Sequence, residues 1–296
     1  MQRAQEAAEI RVIEHHTPIG GRLRDLVHYR ELLTNLIRKE LRVKYKNSVL
    51  GFVWSMLNPA LYLVIFWIVF TKFLGGNIPE FPIYLLSGLL AFNLWSSSLG
   101  GTVASLIGNS NLVTKVYFPR EILPLASIGA SLMHFFFQFV VLLLALIVFR
   151  HPVGIEALYL IPLALIVEIV LLVGVGLIVS VLNVYFRDVQ HLLELILLAW
   201  FWMTPIVYPI HFVETKGAGI FKLYLLNPMT SIVLAFQRGI YGEQFDTVTG
   251  APLLIENATP LYYARNVGIV GAGALILVAV GWTIFRRLES RLAEEL

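Results

Sequence analysis

The sequence contains six predominantly apolar stretches, each long enough as a helix to cross a lipid bilayer or nearly so. They are Val49–Phe73, Ile83–Ile107, Ile122–Phe149, Ala157–Val184, Leu192–Tyr208 and Val267–Phe285. A helix needs about 20 such residues to cross the roughly 30 Å hydrocarbon core. Because backbone N–H and C=O groups cannot stay unpaired in lipid, each stretch is a predicted transmembrane helix. The sequence therefore predicts an all-α integral membrane protein with six transmembrane helices.

The composition supports the same class. Of the 296 residues, 58% are hydrophobic and 14% are charged, whereas soluble domains have about 25% charged residues. So little charge cannot cover a water-facing surface, which excludes a soluble enzyme and a disordered chain. The absence of cysteine excludes disulfides, thiolate metal sites and cysteine nucleophiles.

The Lys and Arg residues are distributed unevenly between the two sides of the predicted membrane domain. With six spans, sixteen of them lie on the side of both termini and six on the other side. Because cytoplasmic loops are enriched in these residues, we expect both termini in the cytoplasm and no nucleic-acid partner. The simplest partition is a polar tail (1–28), an amphipathic segment (29–48), a membrane domain (49–288) and a C-terminal tail (289–296). The start of the tail lacks the apolar core of a signal peptide.

The amphipathic segment is apolar along one stripe and basic along another. The two stripes, each with a spacing of four, contain Leu33, Ile37, Leu41 and Tyr45 on one side and Arg38, Arg42 and Lys46 on the other. This pattern predicts an interfacial helix in the cytoplasmic headgroup layer. Its role is either that of an anchor or that of a helix that contacts a moving partner or guards a lateral entrance.

Two loops on the same side have unusual residues. In Gly108–Glu121, residues 116–118 are apolar or aromatic and are expected to be exposed among charges. Such residues favour interfaces, so the loop is either an aromatic belt at the membrane surface or, as we favour, a docking site for a cytoplasmic partner. In Asn183–His191, Arg187 and Asp188 either pair with each other or, as we favour, Asp188 caps the helix that begins near Val189, and neither role excludes a partner contact through Arg187.

The segment Pro209–Arg265 lies on the opposite side. Asn227-Pro228 predicts a helix start, with Asn as the cap and Pro in the first turn. The apolar pattern that follows, as far as Tyr241, is too short to span a bilayer. We predict a short interfacial or re-entrant helix, which either covers an exit or serves only in packing.

No catalytic or metal-binding motif is present in the sequence. The His and Asp residues lack metal-ligand spacing, and there is no G-x-x-x-x-G-K-[S/T] loop, so ATP could act only through a separate subunit. We expect no metal and no cofactor in this chain. Glu168 falls in the middle of a predicted span, where a carboxylate must face protein, water or a partner. We expect it to be structural, with the lining of a polar conduit as the alternative.

Several short motifs follow one another in these segments. They are Arg42–Trp54 (RVKYKNSVLGFVW), Asn58-Pro59, Lys115–Glu121 (KVYFPRE), Tyr185–Asp188 (YFRD), Thr204–Tyr208 (TPIVY) and Leu226–Pro228 (LNP) followed by Arg238. With these motifs in this order, the chain resembles the membrane subunit of type-2 ABC exporters, in the branch that exports polysaccharides. The resemblance extends from about Leu32 to Leu288.

The resemblance implies a homodimer in a bacterial or archaeal plasma membrane, with two copies of a cytoplasmic ATPase that bind ATP and Mg. The residues implied in coupling to the ATPase are Lys115, Val116, Tyr117, Phe118, Pro119, Arg120, Glu121, Arg187 and Asp188. Those of a cytoplasmic gate helix are Arg38, Arg42, Lys44, Tyr45 and Lys46. Those of an outer gate are Asn227, Pro228, Phe236 and Arg238.

The implied cargo is a lipid-linked glycan such as O-antigen, capsule or teichoic acid. Unassisted crossing would cost such a molecule many hydrogen bonds, whereas aromatic side chains can stack on sugar faces. The candidate pathway residues are Trp54, Phe66, Trp67, Phe92, Trp95, Glu168, Phe201 and Trp202. The alternative functions are export of a drug or small lipid, a membrane-embedded glycosyl- or acyltransferase, and a scaffold that transports nothing.

Overall fold

A computed structural model of the chain describes residues 28–46, 48, 51–69, 78–289 and 292–296. The predicted polar tail up to residue 27 lies outside the described residues. So do Asn47, Val49 and Leu50 of the first motif, the last part of the predicted first span, and residues 290–291 of the C-terminal tail.

The described residues form α-helices joined by loops, with one isolated β-bridge between Phe245 and Pro252. In chain order the helices are α1 Arg30–Lys44, α2 Trp54–Ile68, α3 Phe81–Gly108, α4 Ser110–Lys115, α5 Ile122–Phe149, α6 Ala157–Tyr185, α7 Val189–Trp202, α8 His211–Glu214, α9 Ala218–Leu226, α10 Pro228–Ile240, α11 Pro260–Glu289 and α12 Leu292–Glu295. A 3₁₀ turn, Gly51–Val53, precedes α2.

Four of the described helices, α3, α5, α6 and α11, are long and apolar enough to cross a membrane. They coincide with the second, third, fourth and sixth predicted spans. The other two predicted spans correspond to the shorter apolar helices α2 and α7, of 15 and 14 residues, so a crossing there stays a prediction. The expected end of the fifth span at Tyr208 is wrong for the helix, since α7 ends at Trp202. Thr204 precedes Pro205, and a residue before proline disfavours the helical conformation.

Helix α3 lies at the centre of the helices, in contact with α2, α5, α6, α7 and α10. Its residues are apolar on every side, which is typical of a helix surrounded by other helices. Tyr84, Leu94 and Trp95 on α3 are almost completely buried. The other elements are therefore positioned by their contacts with α3.

Helices α6 and α11 pack closely because two glycines meet. A Cβ atom added at Gly281 would overlap the carbonyl oxygen of Gly174, and one added at Gly174 would lie 2.8 Å from the backbone nitrogen of Val278. Small residues at such contacts let two membrane helices approach at backbone distance. The α6–α11 contact therefore depends on the absence of side chains at these two positions.

The helices have two distinct ends. At one, Leu106, Phe118, Ile122 and Phe285 belong to a buried cluster where α3, α6 and α11 end and α5 begins; we call it the Phe118 end. At the other, the Nε2 atom of His151 lies 3.0 Å from the carbonyl oxygen of Tyr241, where α5 and α10 end and α3 and α6 begin. We call it the Tyr241 end.

Candidate functional site

The loop that follows α4 has both exposed and buried residues. Val116 and Tyr117 are exposed, Tyr117 to 89%, whereas Phe118 is only 6% exposed. Phe118 packs in the buried cluster of this end with Val113 and Phe285. The prediction that residues 116–118 are all exposed is therefore wrong for Phe118, because its ring is part of this buried cluster.

Hydrogen bonds attach two predicted contact segments to the end of α11. Nη1 of Arg120 donates to the carbonyl oxygen of Glu289, and the hydroxyl of Tyr185 donates to the carbonyl oxygen of Leu288 at 2.8 Å. Glu121 is buried. Arg120 and Glu121 thus lie on the side of the loop that packs against the helices. Lys115 and Tyr117 lie on its exposed side.

The turn before α7 does not have the predicted cap. Asp188 occupies the N-cap position, but its side chain makes no capping hydrogen bond. Its backbone angles (φ −70°, ψ −15°) are helical, whereas a capping residue is usually extended. Asn183 serves instead, since its Oδ1 accepts a hydrogen bond from the backbone nitrogen of Gln190 at 3.1 Å. Phe186, Arg187 and Asp188 are left exposed.

The C-terminal end was not predicted to contribute to this site. Leu292 on α12 is completely buried in the cluster at the Phe118 end, and Leu288 and Leu296 pack against that cluster. These three leucines recur every four residues, which is the spacing of one helix face. That pattern could have indicated a packed C-terminal helix in place of a free tail.

Helix α1 covers most of the predicted amphipathic segment and packs against α5. Ile37 lies against Gly129, where an added Cβ would come within 2.5 Å of its Cδ1 atom. The hydroxyl of Tyr45 lies 3.1 Å from Nδ1 of His134, and Nζ of Lys39 donates to Oδ1 of Asn109. The exposed basic residues of the segment are Arg30, Arg38, Lys39, Arg42, Lys44 and Lys46. Its location in a headgroup layer stays a prediction.

The predicted helix start at Asn227 is confirmed. Its Oδ1 accepts hydrogen bonds from the backbone nitrogen of Met229 at 3.0 Å and from Nε1 of Trp200 at 2.7 Å. Helices α9 and α10 meet there at 93°, as a broken span or a re-entrant loop. Every residue of α10 after Pro228 is buried.

The other predicted outer-gate residues on α10 are fixed by packing and charge. The ring of Phe236 packs edge-on against Phe135, with centroids 6.1 Å apart. Arg238 is 8% exposed and forms ion pairs with Glu156 at 3.6 Å and Glu243 at 3.4 Å. Because two carboxylates compensate the charge of its guanidinium group, Arg238 can remain buried among the helices.

The candidate pathway residues fall into two groups. Phe92 and Trp95 are buried in perpendicular ring contacts with Phe201 and Trp200, both at 5.3 Å between centroids. Glu168 is also completely buried, and neither of its carboxylate oxygens has a hydrogen-bond partner among the described residues. The exposed members of the set are Trp54, Trp67 and Trp202, while Phe66 and Phe201 are half-buried. In this arrangement only exposed or half-buried members can meet a substrate.

Comparison with known proteins assigns this sequence to a family. Residues 31–241 match the family model described as the ABC-2 type transporter. The chain belongs to the ABC-2 type transporter family. The matched residues include α1, the Phe118 end of α3–α5 and the broken pair α9–α10.

Relatives of this ABC-2 protein are named for O-antigen export or polysialic acid transport. The O-antigen export system permease protein RfbA of Myxococcus xanthus is 33% identical over 74% of this chain and 84% of its own length. A protein of the same name from Klebsiella pneumoniae is 30% identical over 89% of this chain and 94% of its own length. The polysialic acid transport protein KpsM of Escherichia coli is 28% identical over 67% of this chain and 76% of its own length.

Proposed function

We propose that the chain is the membrane-spanning permease of an ATP-driven polysaccharide exporter. The observation that carries the proposal is the similarity to the two O-antigen export permeases and the polysialic acid transport protein. The alignment with the Klebsiella protein extends over 89% of this chain and 94% of that protein's own length. The proposed cargo is a polysaccharide or related glycan attached to a lipid carrier.

A separate ATPase is part of the proposal, because this sequence has no phosphate-binding loop. The surface that supports it is the exposed part of the Phe118 end, which combines Tyr117 and Phe186 with Lys115 and Arg187. Aromatic and arginine side chains dominate the binding energy of protein interfaces. The loop that carries this surface is held to the helix bundle by Phe118, Arg120 and Glu121, which lie on its packed side. We place the Phe118 end in the cytoplasm, since the Lys and Arg residues concentrate on that side.

The assembly would contain two copies of the permease and two of the ATPase. The exposed indoles of Trp54, Trp67 and Trp202 are the surfaces that a second copy could enclose. Flat aromatic rings contact sugar faces without fixing them through many hydrogen bonds, which suits a polymer that must keep moving. ATP binding and hydrolysis would shift the permease between two arrangements of its helices.

In this proposal, α1 is the gate helix at the cytoplasmic entrance and α10 is the outer gate. The contacts that support the first role are those of α1 with α5, through Ile37 on Gly129 and Tyr45 on His134. The contact at Asn227, where the α9–α10 break is fastened to Trp200, supports the second. Helix α1 is attached to the bundle mainly through α5, whereas α10 is buried among α3, α6 and α11, so movement of the outer gate would have to include those helices.

The export function is tested in cells by deletion of the gene for this chain. We expect surface polysaccharide to disappear and its lipid-linked form to accumulate inside the cell, as measured by immunoblot of surface and cytoplasmic fractions. Complementation with the wild-type gene is expected to restore the surface polymer. Unchanged surface polysaccharide together with lost efflux of a drug or small lipid would favour the alternative exporter.

The gate role of α1 is tested by Gly129→Leu on α5. The new side chain would occupy the space of Ile37 and push α1 away, at a cost of about 1–3 kcal/mol for overpacking. We expect glycan export to fall strongly while the chain still inserts in the membrane. The second change Ile37→Ala makes room for the leucine, and the double variant is expected to recover export.

The matched control for this test is Gly100→Leu on α3, where an added Cβ meets no atom within 4 Å. Export by this variant is expected to remain near the wild-type level. If Gly129→Leu exports normally, or if Ile37→Ala fails to rescue it, α1 is not the gate.

A further inference from the structure

A groove of about 520 Å³ lies between α9, the first turn of α10 and α11. This volume is within the roughly 300–1,000 Å³ of typical small-ligand sites. Its apolar lining includes Leu223, Leu226 and Ile269, all of which are exposed. Its polar lining consists of Lys222, Ser231 and Asn266.

None of the three polar side chains that line the groove makes a side-chain hydrogen bond or ion pair with a residue that the structure describes. Ser231 is only 5% exposed as a residue, and it lines the groove. Its hydroxyl is therefore available to donate a hydrogen bond to a ligand in the groove.

The length of α11 places the groove near the depth of lipid headgroups. Helix α11 has 30 residues, so it is about 45 Å long and exceeds the roughly 30 Å hydrocarbon core by about 15 Å. If this excess is shared between the two ends, the boundary of the hydrocarbon falls about five residues inside each end. Asn266 is the seventh residue of α11, and Ile269 follows one turn deeper. The amide is therefore near the headgroups and the isoleucine near the acyl chains.

The charge of the groove is complementary to an anion. Lys222 is the one charged side chain among its described lining residues, and no carboxylate lines it. An ammonium, an amide and a hydroxyl can donate hydrogen bonds to phosphate oxygens, and Lys binds phosphate as a point charge. The exposed leucines and Ile269 offer an apolar wall beside these donors.

We propose that this groove binds an anionic phospholipid from the leaflet at the Tyr241 end. Lys222, Asn266 and Ser231 would donate to its phosphate, while Leu226 and Ile269 contact an acyl chain. The bound lipid would fill the space beside the break between α9 and α10 and so stabilise the re-entrant pair. The site requires neither ATP nor a polysaccharide, so it can be tested independently of the proposed function.

The test is native mass spectrometry of the purified full-length chain with phosphatidylglycerol added in mixed micelles. We expect wild-type protein to retain the lipid and Lys222→Gln to retain it about fivefold less, as expected for the loss of one cation at a lipid phosphate. Lys222→Arg keeps the charge and should retain the lipid. The matched control is Lys216→Gln, which removes an exposed lysine outside the groove and should leave retention unchanged.

A second variant separates loss of lipid binding from loss of folding. Asn266→Ala removes an amide donor without changing the charge, and we expect it to lower retention of the lipid. Its thermal midpoint without added lipid is expected to equal that of the wild type. Equal retention by Lys222→Gln and the wild type, or an equal loss with Lys216→Gln, would overturn the proposal. Displacement of the lipid by millimolar inorganic phosphate would overturn it too, because the groove would then be a site for free anions.

Discussion

Gly281→Val is expected to remove most of the folded protein from the membrane. The new side chain would overlap the carbonyl oxygen of Gly174, and backbone on a neighbouring helix cannot move aside as a side chain can. Overpacking costs about 1–3 kcal/mol where side chains can adjust, and we expect a larger cost at this backbone contact. Total stabilities are only about 5–15 kcal/mol. The measurement is the thermal midpoint and the yield of monodisperse protein after extraction in mild detergent.

Gly273→Val on the same helix is the matched control. An added Cβ at Gly273 meets no atom within 4 Å, although the change replaces a helical glycine with a β-branched residue in the same way. We expect its midpoint to stay close to that of the wild type. Similar losses for both variants would show that the Gly174–Gly281 contact is not what holds α6 and α11 together.

The second large effect is expected at the exposed surface of the Phe118 end. The double change Tyr117→Ala with Phe186→Ala removes two exposed aromatic rings. If these rings are the anchors of the ATPase interface, each costs about 2 kcal/mol or more, which weakens binding at least about 30-fold per ring. We expect lost co-purification of the ATPase and lost glycan export, with an unchanged thermal midpoint of the permease.

Two single variants separate binding from folding in this experiment. Tyr159→Ala removes a half-exposed tyrosine in the first turn of α6, at the opposite end of the molecule, and should leave ATPase binding intact. Phe118→Ala empties a buried site at a cost of about 3–5 kcal/mol of stability, so it should lower the midpoint. If Tyr117→Ala with Phe186→Ala binds the ATPase normally, the exposed rings are not the docking surface.

The long helices were predictable because each is an apolar run that exceeds the bilayer thickness. The predicted third span, Ile122–Phe149, coincides with α5 at both ends. Helix α11 is longer than the predicted Val267–Phe285, because the helix continues through polar residues around Arg265 that a hydropathy criterion leaves out. Apolar runs therefore locate the membrane-embedded part of a helix better than its ends.

The roles of single side chains at the Phe118 end could not be derived in the same way. An aromatic residue among charges fits an exposed anchor and a buried one equally well. Phe118 is buried in a cluster that also contains Phe285 and Leu292, from the other end of the sequence. That cluster is not visible in the local sequence. The cap expected at Asp188 failed for a similar reason, since its backbone is held in a helical conformation and Asn183 supplies the hydrogen bond.

The central claim, that this chain is the permease of a polysaccharide exporter powered by a separate ATPase, is tested most directly by reconstitution. The purified permease and its ATPase would be placed in proteoliposomes that carry a fluorescent lipid-linked O-polysaccharide. The measurement is the fraction of the glycan that becomes protected from an added glycosidase. We predict that protection requires both subunits and hydrolysable ATP. Equal protection with the permease alone, or without ATP, would contradict the claim.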